Sequence, residues 1–270
     1  MKARAPMSTE TSKGKSPYYR PIGNEAEVFK AARSAELPVL LQGPTGCGKS
    51  RFVENMAAVA DVPLIQVACN EDTSASDLLG RYLIKGGDTV WQDGPVTRAV
   101  RAGAMLYLDE VAEAREDVVV LLHSLADHRR EVFIDRTNET LKAPKTFQLV
   151  ASYNPGYQRG LKALKPSTRQ RFVGISFTYP PAELETEIIQ AESGAATDIC
   201  VKLVGLARKI RSLKEMDLPE TASTRLLINA AKLIAGGLPP RAACTSAIAD
   251  PLTDQREELA ALRDLISMSF

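Results

Sequence analysis

The segment Gly43–Ser50 constrains the fold of this chain more than any other. It matches the pattern GxxxxGK[ST] in full, and it lies between an apolar run, 37–42, and an amphipathic segment, 49–60. A strand, a glycine-rich loop and a helix in this order bind phosphate, because backbone N–H groups surround its oxygens at the positive end of the helix dipole. A glycine-rich turn that binds nothing is the weaker interpretation, since both flanking segments are of the required type. The loop consists of Gly43, Pro44, Thr45, Gly46, Cys47, Gly48, Lys49 and Ser50.

Two side chains of this loop, those of Lys49 and Ser50, carry the predicted binding of ATP and Mg²⁺. Lys49 is predicted to reach the β- and γ-phosphates, and the Ser50 hydroxyl is predicted to be a ligand of Mg²⁺. Cys47 is interpreted as a small residue that fits a tight turn, in preference to a reactive thiol.

Polar residues follow two further apolar runs, at the ends where a parallel sheet would gather them. Asp109 and Glu110 follow the run 104–108, and Asn154 follows the run 147–152. Asp109 is predicted to hold Mg²⁺ through water, and Glu110 to orient and deprotonate the attacking water, so hydrolysis is expected and not phosphotransfer. Asn154 is predicted to reach the γ-phosphate or that water. The alternatives are an exposed acidic loop for Asp109 and Glu110 and an ordinary Asn-Pro turn for Asn154. The glycine-rich loop upstream makes both alternatives less favoured.

The alternation of apolar runs and helical patterns predicts an α/β fold with a parallel sheet, because strands covered on both faces are apolar throughout. After residue 180 only helical patterns occur. We therefore expect a flexible N-terminal arm over 1–19, a nucleotide-binding core over 20–179 and a helical domain over 180–270. The runs interpreted as strands are 37–42, 64–68, 104–108, 147–152 and 172–177.

The composition excludes several classes of protein. Lys and Arg total 34 against 33 for Asp and Glu, and a net charge of +1 provides no general attraction for nucleic acid or for an anionic membrane. No stretch approaches the roughly 20 apolar residues of a transmembrane helix, so no membrane insertion is expected. The four cysteines form no CxxC pair, which indicates reduced thiols in a cytoplasmic protein.

Taken together, these motifs resemble the AAA+ ATPases, and within them the MoxR group and its CbbQ/NorQ/NirQ family. The resemblance rests on GPTGCGKS, LYLDE, ASYNPGYQRGLKALKPSTRQRF, the turn Asp93–Pro95 and LPPRAAC…AIADPLTD. It implies an AAA+ core with five parallel strands in the order 5-1-4-3-2, a C-terminal helical lid, and assembly into a homo-hexamer with nucleotide bound between subunits.

The resemblance also implies roles for three arginines. Arg171 is the favoured residue to reach the γ-phosphate in the neighbouring subunit, with Arg169 assisting; a basic surface turn is the alternative. Arg225 matches the sensor-2 arginine of the lid, and Ser223 or Thr224 would cap its helix. Catalytic roles thus fall to Glu110, Asn154 and the two trans-acting arginines, and nucleotide binding to the loop and Arg225.

Two insertions are typical of the MoxR group, and matching segments are present here. The first is 79–95, where Gly86 and Gly87 would turn a hairpin that carries Trp91 on one arm. Trp91 could grip a partner or pack the hairpin onto the core, and the sequence leaves both open. The second is a hairpin over 131–143.

The function that this resemblance implies is ATP-driven remodelling of a partner protein, together with an adaptor that carries a von Willebrand factor A domain (CbbO/NorD-like). Reactivation of inhibited Rubisco is the favoured target, and maturation of nitric oxide reductase is the alternative. A P-loop small-molecule kinase is less favoured, because Glu110 and the paired arginines suit hydrolysis. A DNA-linked AAA+ protein is disfavoured by the balanced charge.

Overall fold

The computed structural model describes residues 9–10, 17–155, 164–213 and 220–270. These residues form two compact units. The α/β unit contains the described residues within 1–17, 23–43 and 49–176. The helical unit contains the described residues within 18–22, 44–48 and 177–270, so the boundary falls after Ser176, whereas the sequence predicts it after Tyr179. Two short pieces therefore belong to the helical unit: 18–22, which spans the end of the predicted arm and the start of the predicted core, and 44–48 of the glycine-rich loop.

The α/β unit contains one large sheet and two hairpins. Its strands are β1 (Thr9–Glu10), β2 (Val39–Gln42), β3 (Leu64–Ala68), β4 (Gly80–Lys85), β5 (Asp88–Asp93), β6 (Met105–Asp109), β7 (Glu131–Ile134), β8 (Glu139–Lys142), β9 (Gln148–Tyr153) and β10 (Val173–Ser176). The large sheet has the order β1-β3-β6-β9-β2-β10, and all pairs except β1–β3 are parallel. Numbered along the chain, its five parallel strands follow the order 5-1-4-3-2, which is the order that the resemblance implies.

The N-terminal arm requires one correction. Thr9 and Glu10 pair antiparallel with Gln66 and Ile65 at the edge of the sheet, so this part of the arm is a strand. The rest of the predicted arm up to residue 16 lies outside the described residues.

Helices cover both faces of the large sheet. Leu40, Leu106 and Leu149 point to one face, where they form a buried cluster with residues of the helices that follow β3 and β6. Their neighbours along the strands, such as Leu41 and Tyr107, point to the other face and are equally buried. The helices of this unit are α1 (Glu25–Ser34), α2 (Lys49–Val59), α3 (Ala75–Leu79), α4 (Pro95–Ala102), α5 (Glu116–Ala126) and α6 (Pro166–Arg169), with a 3₁₀ turn at Val111–Glu113.

Hairpins are present in both segments where the sequence predicts insertions. In the first, β4 pairs with β5 around Gly86-Gly87, and Tyr82 lies opposite Trp91 with ring centroids 5.2 Å apart in an edge-to-face contact. The Trp91 indole donates to the Asp93 carboxylate at 2.7 Å, so the ring packs near the base of the hairpin and not at its tip. In the second hairpin, β7 pairs with β8. The Tyr82 hydroxyl donates to the carbonyl of Arg136 at 2.9 Å and thereby joins the two hairpins.

The helical unit packs around one apolar cluster to which α8, α9 and the C-terminal helix contribute. The predicted helix over 239–248 is divided, because a π-helical turn at Thr245–Ala249 follows its first turn. Pro251 lacks the N–H that an α-helix would need at that position, which agrees with the wider turn. None of the helices in the described residues has the length and apolarity of a membrane span. The α-helices are α7 (Ala182–Ser193), α8 (Thr197–Ser212), α9 (Thr224–Ala235), α10 (Pro240–Cys244), α11 (Asp250–Leu252) and α12 (Arg256–Ser269).

Candidate nucleotide-binding site

The glycine-rich loop curls tightly between β2 and α2. Gly46 and Gly48 have φ values of +67° and +103°, in the left-handed region that strongly favours glycine. Two such residues within three positions turn the chain sharply into α2, which begins at Lys49. This backbone shape fits the loop that a nucleotide phosphate requires.

Lys49 joins the ends of two neighbouring strands. Its side chain is buried, with 7% of the residue surface exposed. The ammonium group donates to the carbonyl oxygen of Gly43 at 2.7 Å and to Oδ1 of Asn154 at 2.7 Å. Gly43 follows β2, and Asn154 follows β9, which pairs with β2 in parallel. The structure therefore brings together Lys49, which the sequence predicted to reach the β- and γ-phosphates, and Asn154, which it predicted to reach the γ-phosphate or the attacking water.

Ser50 and Asp109 form the candidate magnesium pair. The Ser50 hydroxyl donates to Oδ2 of Asp109 at 3.3 Å. Hydroxyl and carboxylate oxygens are the hard ligands that Mg²⁺ prefers, and in nucleotide sites the ion keeps several waters and binds substrate phosphates. Among the described residues there is no cluster of three His, Cys, Asp or Glu side chains that could hold a metal. The two oxygens thus fit an ion that arrives with a nucleotide, and they do not fit an all-protein metal cage.

Glu110 adopts a left-handed backbone conformation, with φ +56° and ψ +45°. For a residue other than glycine this conformation costs about 1–3 kcal/mol. Its N–H donates to the Ser152 hydroxyl at 3.2 Å, which holds the turn. Nδ2 of Asn154 lies 3.5 Å from Oε1 of Glu110, so the predicted base and the residue predicted to reach the γ-phosphate or the attacking water are neighbours. The backbone turn and these contacts place the Glu110 carboxylate at the edge of the sheet, next to the candidate magnesium pair.

The two arginines predicted to act on a neighbouring subunit differ in their surroundings. Arg171 donates through Nε to the Asp127 carboxylate at 3.0 Å and through Nη1 to the Ser167 carbonyl at 2.6 Å. Arg169 lies on α6 and is exposed. Thr168, which directly precedes Arg169, is buried, and its hydroxyl lies 2.9 Å from Nε2 of His123 on α5. The Arg171 guanidinium is therefore bound within its own chain, whereas Arg169 faces outward.

Arg225 lies in the first turn of α9, within the helical unit. The Ser223 hydroxyl accepts a hydrogen bond from the N–H of Leu226 and caps this helix, as one of the two predicted alternatives stated. A Cβ atom added to Gly46 would lie 2.6 Å from the Ser223 hydroxyl and 3.3 Å from Cβ of Arg225. The start of α9 therefore packs directly against the loop segment 44–48, which belongs to the same unit.

Comparisons with known proteins agree with this geometry. The model of the AAA domain (dynein-related subfamily) matches residues 38–172, and the model of the CbbQ/NirQ/NorQ C-terminal region matches residues 185–269. The denitrification regulatory protein NirQ of Pseudomonas aeruginosa is 56% identical over 252 residues, which cover 93% of this chain and 97% of that protein. This chain belongs to the CbbQ/NirQ/NorQ family of AAA+ ATPases.

Other relatives support the same family membership. Protein NorQ of Paracoccus denitrificans is 57% identical over 254 residues, or 94% of each chain, and protein CbbQ of Hydrogenophilus thermoluteolus is 51% identical over 247 residues, or 92% of each chain. The crystal structure of a putative ATPase from Cytophaga hutchinsonii has a TM-score of 0.51 at 18% identity, covers 90% of this chain and 80% of its own, and shows the shared fold. As a family member, the chain is an ATPase with an AAA+ fold.

Two residues that contact the candidate site were not predicted from the sequence. Tyr107 and Ser152 are fully buried in the strands β6 and β9. The Tyr107 hydroxyl donates to Oδ1 of Asp109 at 2.8 Å, and Ser152 donates to the same oxygen. Burial and the Asp109 carboxylate raise the pKa of Tyr107 above its usual value, so the phenol remains a donor. The sequence feature that could have revealed them is a phenol and a hydroxyl inside two strand runs that are otherwise apolar.

The thiol of Cys69 should not react in the folded protein at pH 8. Burial, and then the carboxylates of Asp109 and Glu110, raise the pKa of Cys69 to about 12. Because the thiolate is the nucleophile, only about one thiol in 10⁴ would be reactive at pH 8, and reactivity should rise only as the pH approaches 12. Iodoacetamide labelling, read by peptide mass, should leave Cys69 unmodified until denaturant is added. Rapid labelling of Cys69 in the folded protein would contradict this prediction.

Proposed function

We propose that this ATPase assembles into a homo-hexameric ring and uses ATP hydrolysis to remodel a partner protein, together with a von Willebrand factor A domain adaptor. The main evidence for hydrolysis is the position of Glu110. It lies beside Asn154 and directly follows Asp109, which is bound to Ser50. A carboxylate at this place can accept a proton from water. With water as the acceptor of the γ-phosphoryl group, these residues need no second substrate, and this favours hydrolysis over a kinase reaction.

The proposed division of roles follows from the contacts. Lys49 neutralises charge on the β- and γ-phosphates, and its present partners, Gly43 and Asn154, hold its ammonium group at the phosphate-binding loop. Ser50 and Asp109 hold Mg²⁺, which when bound supplies positive charge to the phosphates. Glu110 takes the proton of the attacking water, and the Asn154 amide orients that water. The Ser152 hydroxyl accepts from the backbone N–H of Glu110 and donates to the Asp109 carboxylate, which holds the Glu110 backbone and the Asp109 side chain at one edge of the sheet.

For the trans-acting arginine, the contacts favour a different assignment from the one expected. Arg171 was the favoured residue, but its bonds to Asp127 and Ser167 suit a residue that holds the segment in place. Arg169 is exposed, and so it is the better candidate to reach the nucleotide of a neighbouring subunit. Its charge would stabilise the transition state of the γ-phosphoryl group there.

A subunit-mixing experiment tests the shared site. Arg169→Ala and Glu110→Gln should each hydrolyse little ATP alone. In a random equimolar mixture about a quarter of the sites would combine an intact Glu110 with an intact Arg169 from the neighbour, so turnover should return toward that fraction of wild type. Phosphate release from pre-mixed subunits measures it.

Two controls accompany this experiment, one that should stay active and one that should stay inactive. Arg129→Ala removes another exposed arginine of the α/β unit and should retain wild-type turnover. A mixture of Glu110→Gln with the double variant Glu110→Gln/Arg169→Ala should recover nothing. If the first mixture also stays inactive, Arg169 does not act in trans, and the same test with Arg171→Ala shows whether Arg171 does.

The proposed target is an enzyme of denitrification, namely nitric oxide reductase during its maturation. Two relatives named as denitrification regulatory proteins are 56% and 53% identical, and NorQ is 57% identical, against 51% for CbbQ. Rubisco, the target favoured from the sequence alone, is the second candidate, because CbbQ is also a relative over most of the chain. Purification of tagged Glu110→Gln protein with ATP from its native source tests both. A bound reductase subunit with a von Willebrand factor A domain protein supports the proposal, and recovery of Rubisco instead contradicts it.

A further inference from the structure

A buried ion pair joins two helices of the helical unit, α7 and α8, outside the parts of the site described so far. Glu185 on α7 has no exposed surface. Its carboxylate accepts hydrogen bonds from Nη1 and Nη2 of Arg211 on α8, at 2.8 and 2.7 Å. The Thr224 hydroxyl donates to the same carboxylate at 2.6 Å. A buried carboxylate with this many donors is fully satisfied, and the two-pronged contact can be made by arginine but not by lysine.

The third nitrogen of the Arg211 guanidinium, Nε, fixes the start of α9. Nε of Arg211 donates to the carbonyl oxygen of Ala222 at 2.7 Å, and Thr224 is bound to Glu185. These two bonds hold the chain on both sides of Ser223, the residue that caps α9 and packs against Gly46. Arg225 is the next residue but one along this segment. The ion pair therefore fixes the backbone from which the Arg225 side chain extends.

The flat face of the same guanidinium connects it to the phosphate-binding loop. The Arg211 guanidinium lies over the ring of Tyr179, 4.0 Å from its centroid. The Tyr179 hydroxyl donates to the carbonyl oxygen of Thr45 at 3.0 Å, and the Thr45 side chain donates to Glu220 at 2.9 Å. Arg211 thus bonds directly to Ala222, next to Ser223–Arg225, and it reaches Thr45–Gly46 through Tyr179. These two segments are the ones that pack against each other.

We propose that Arg211, held by Glu185, is a positioning residue that fixes the start of α9 against Thr45–Gly46, so that Arg225 is oriented to recognise the γ-phosphate. Arg211 does not touch the nucleotide in this proposal. It sets the discrimination between ATP and ADP, because only ATP has the phosphate that Arg225 reaches. The inference rests on the proposed role of Arg225, and a loss of mere stability would weaken the binding of both nucleotides alike.

The test compares affinities for a non-hydrolysable ATP analogue and for ADP, measured by calorimetry on the full-length protein. Arg225→Ala should lower the ratio of the two affinities about tenfold, as expected for loss of a charge-assisted contact. Arg211→Lys should lower the ratio by a similar factor, and the double variant should lower it no further than Arg225→Ala alone. Arg208→Lys, the same change at an exposed position of α8, should leave the ratio unchanged.

A more conservative variant provides the same test if Arg211→Lys does not fold. Tyr179→Phe retains the ring under the guanidinium and removes only the hydroxyl bound to Thr45, so we expect a fall of about threefold in the ratio. If Arg225→Ala lowers the ratio but the Arg211 and Tyr179 variants do not, the positioning role is overturned and that of Arg225 stands. An unchanged ratio in Arg225→Ala would contradict the proposed role of Arg225 and overturn this inference with it.

Discussion

Replacing Lys49 by alanine is expected to abolish ATP binding at micromolar concentrations. The ammonium group is buried and bound to Gly43 and Asn154, so its position is fixed before any phosphate arrives. Charge-assisted hydrogen bonds contribute about 1.5–3 kcal/mol each, and loss of two of them to phosphate oxygens weakens binding at least a hundredfold. Calorimetric titration with ATP measures the effect. The melting temperature without nucleotide shows whether the variant is folded.

Arg51→Ala is a matched control for this change. Arg51 lies two residues further along α2, and its side chain is 46% exposed. Its loss removes the same charge from the same helix but no group of the loop, so the affinity for ATP should change by less than about twofold, since exposed ion pairs contribute little. Equal losses in the two variants would show that total charge, and not the fixed Lys49 ammonium, governs binding.

Glu110→Gln is expected to bind ATP normally and to hydrolyse it 10²–10⁴ times more slowly, the usual range for a general base. Glutamine has almost the same shape, so the turn held by the Glu110 N–H and Ser152 should persist. The amide cannot accept the proton of the attacking water. Steady-state phosphate release and ATP affinity, measured on the same preparation, separate the two effects.

The control for this variant is Glu113→Gln, three residues further along in the 3₁₀ turn. It removes a neighbouring carboxylate that has no role in the proposed chemistry, and turnover should stay near wild type. Turnover that persists in Glu110→Gln, or falls equally in both variants, would contradict the assignment of Glu110 as the base.

The parts of the site that the sequence predicted are local or lie at strand ends. The glycine-rich loop is one continuous segment, and its neighbours Asp109 and Asn154 each follow an apolar run whose direction in a parallel sheet is fixed. Topology alone then brings them to one edge. For this reason the strands, the loop and the acidic pair could all be predicted before any coordinates.

The unpredicted parts depend on which residues face each other across elements. Tyr107 and Ser152 meet Asp109 only because β6 and β9 pair in one particular register. Glu185 and Arg211 are 26 positions apart on different helices, and single-residue patterns do not reveal such a pair. The same limit applies to Arg171, whose partner Asp127 follows α5, and to Trp91, whose environment is set by its cross-strand neighbour Tyr82.

The central chemical claim is that water is the acceptor of the γ-phosphoryl group. The most direct test is to measure ADP and free phosphate in parallel during ATP turnover by the wild-type protein, with Mg²⁺ present and no other acceptor added. One free phosphate should appear for every ADP throughout the reaction. ADP formation that requires an added small molecule, or that proceeds without matching free phosphate, would show a phosphotransferase and contradict hydrolysis by water.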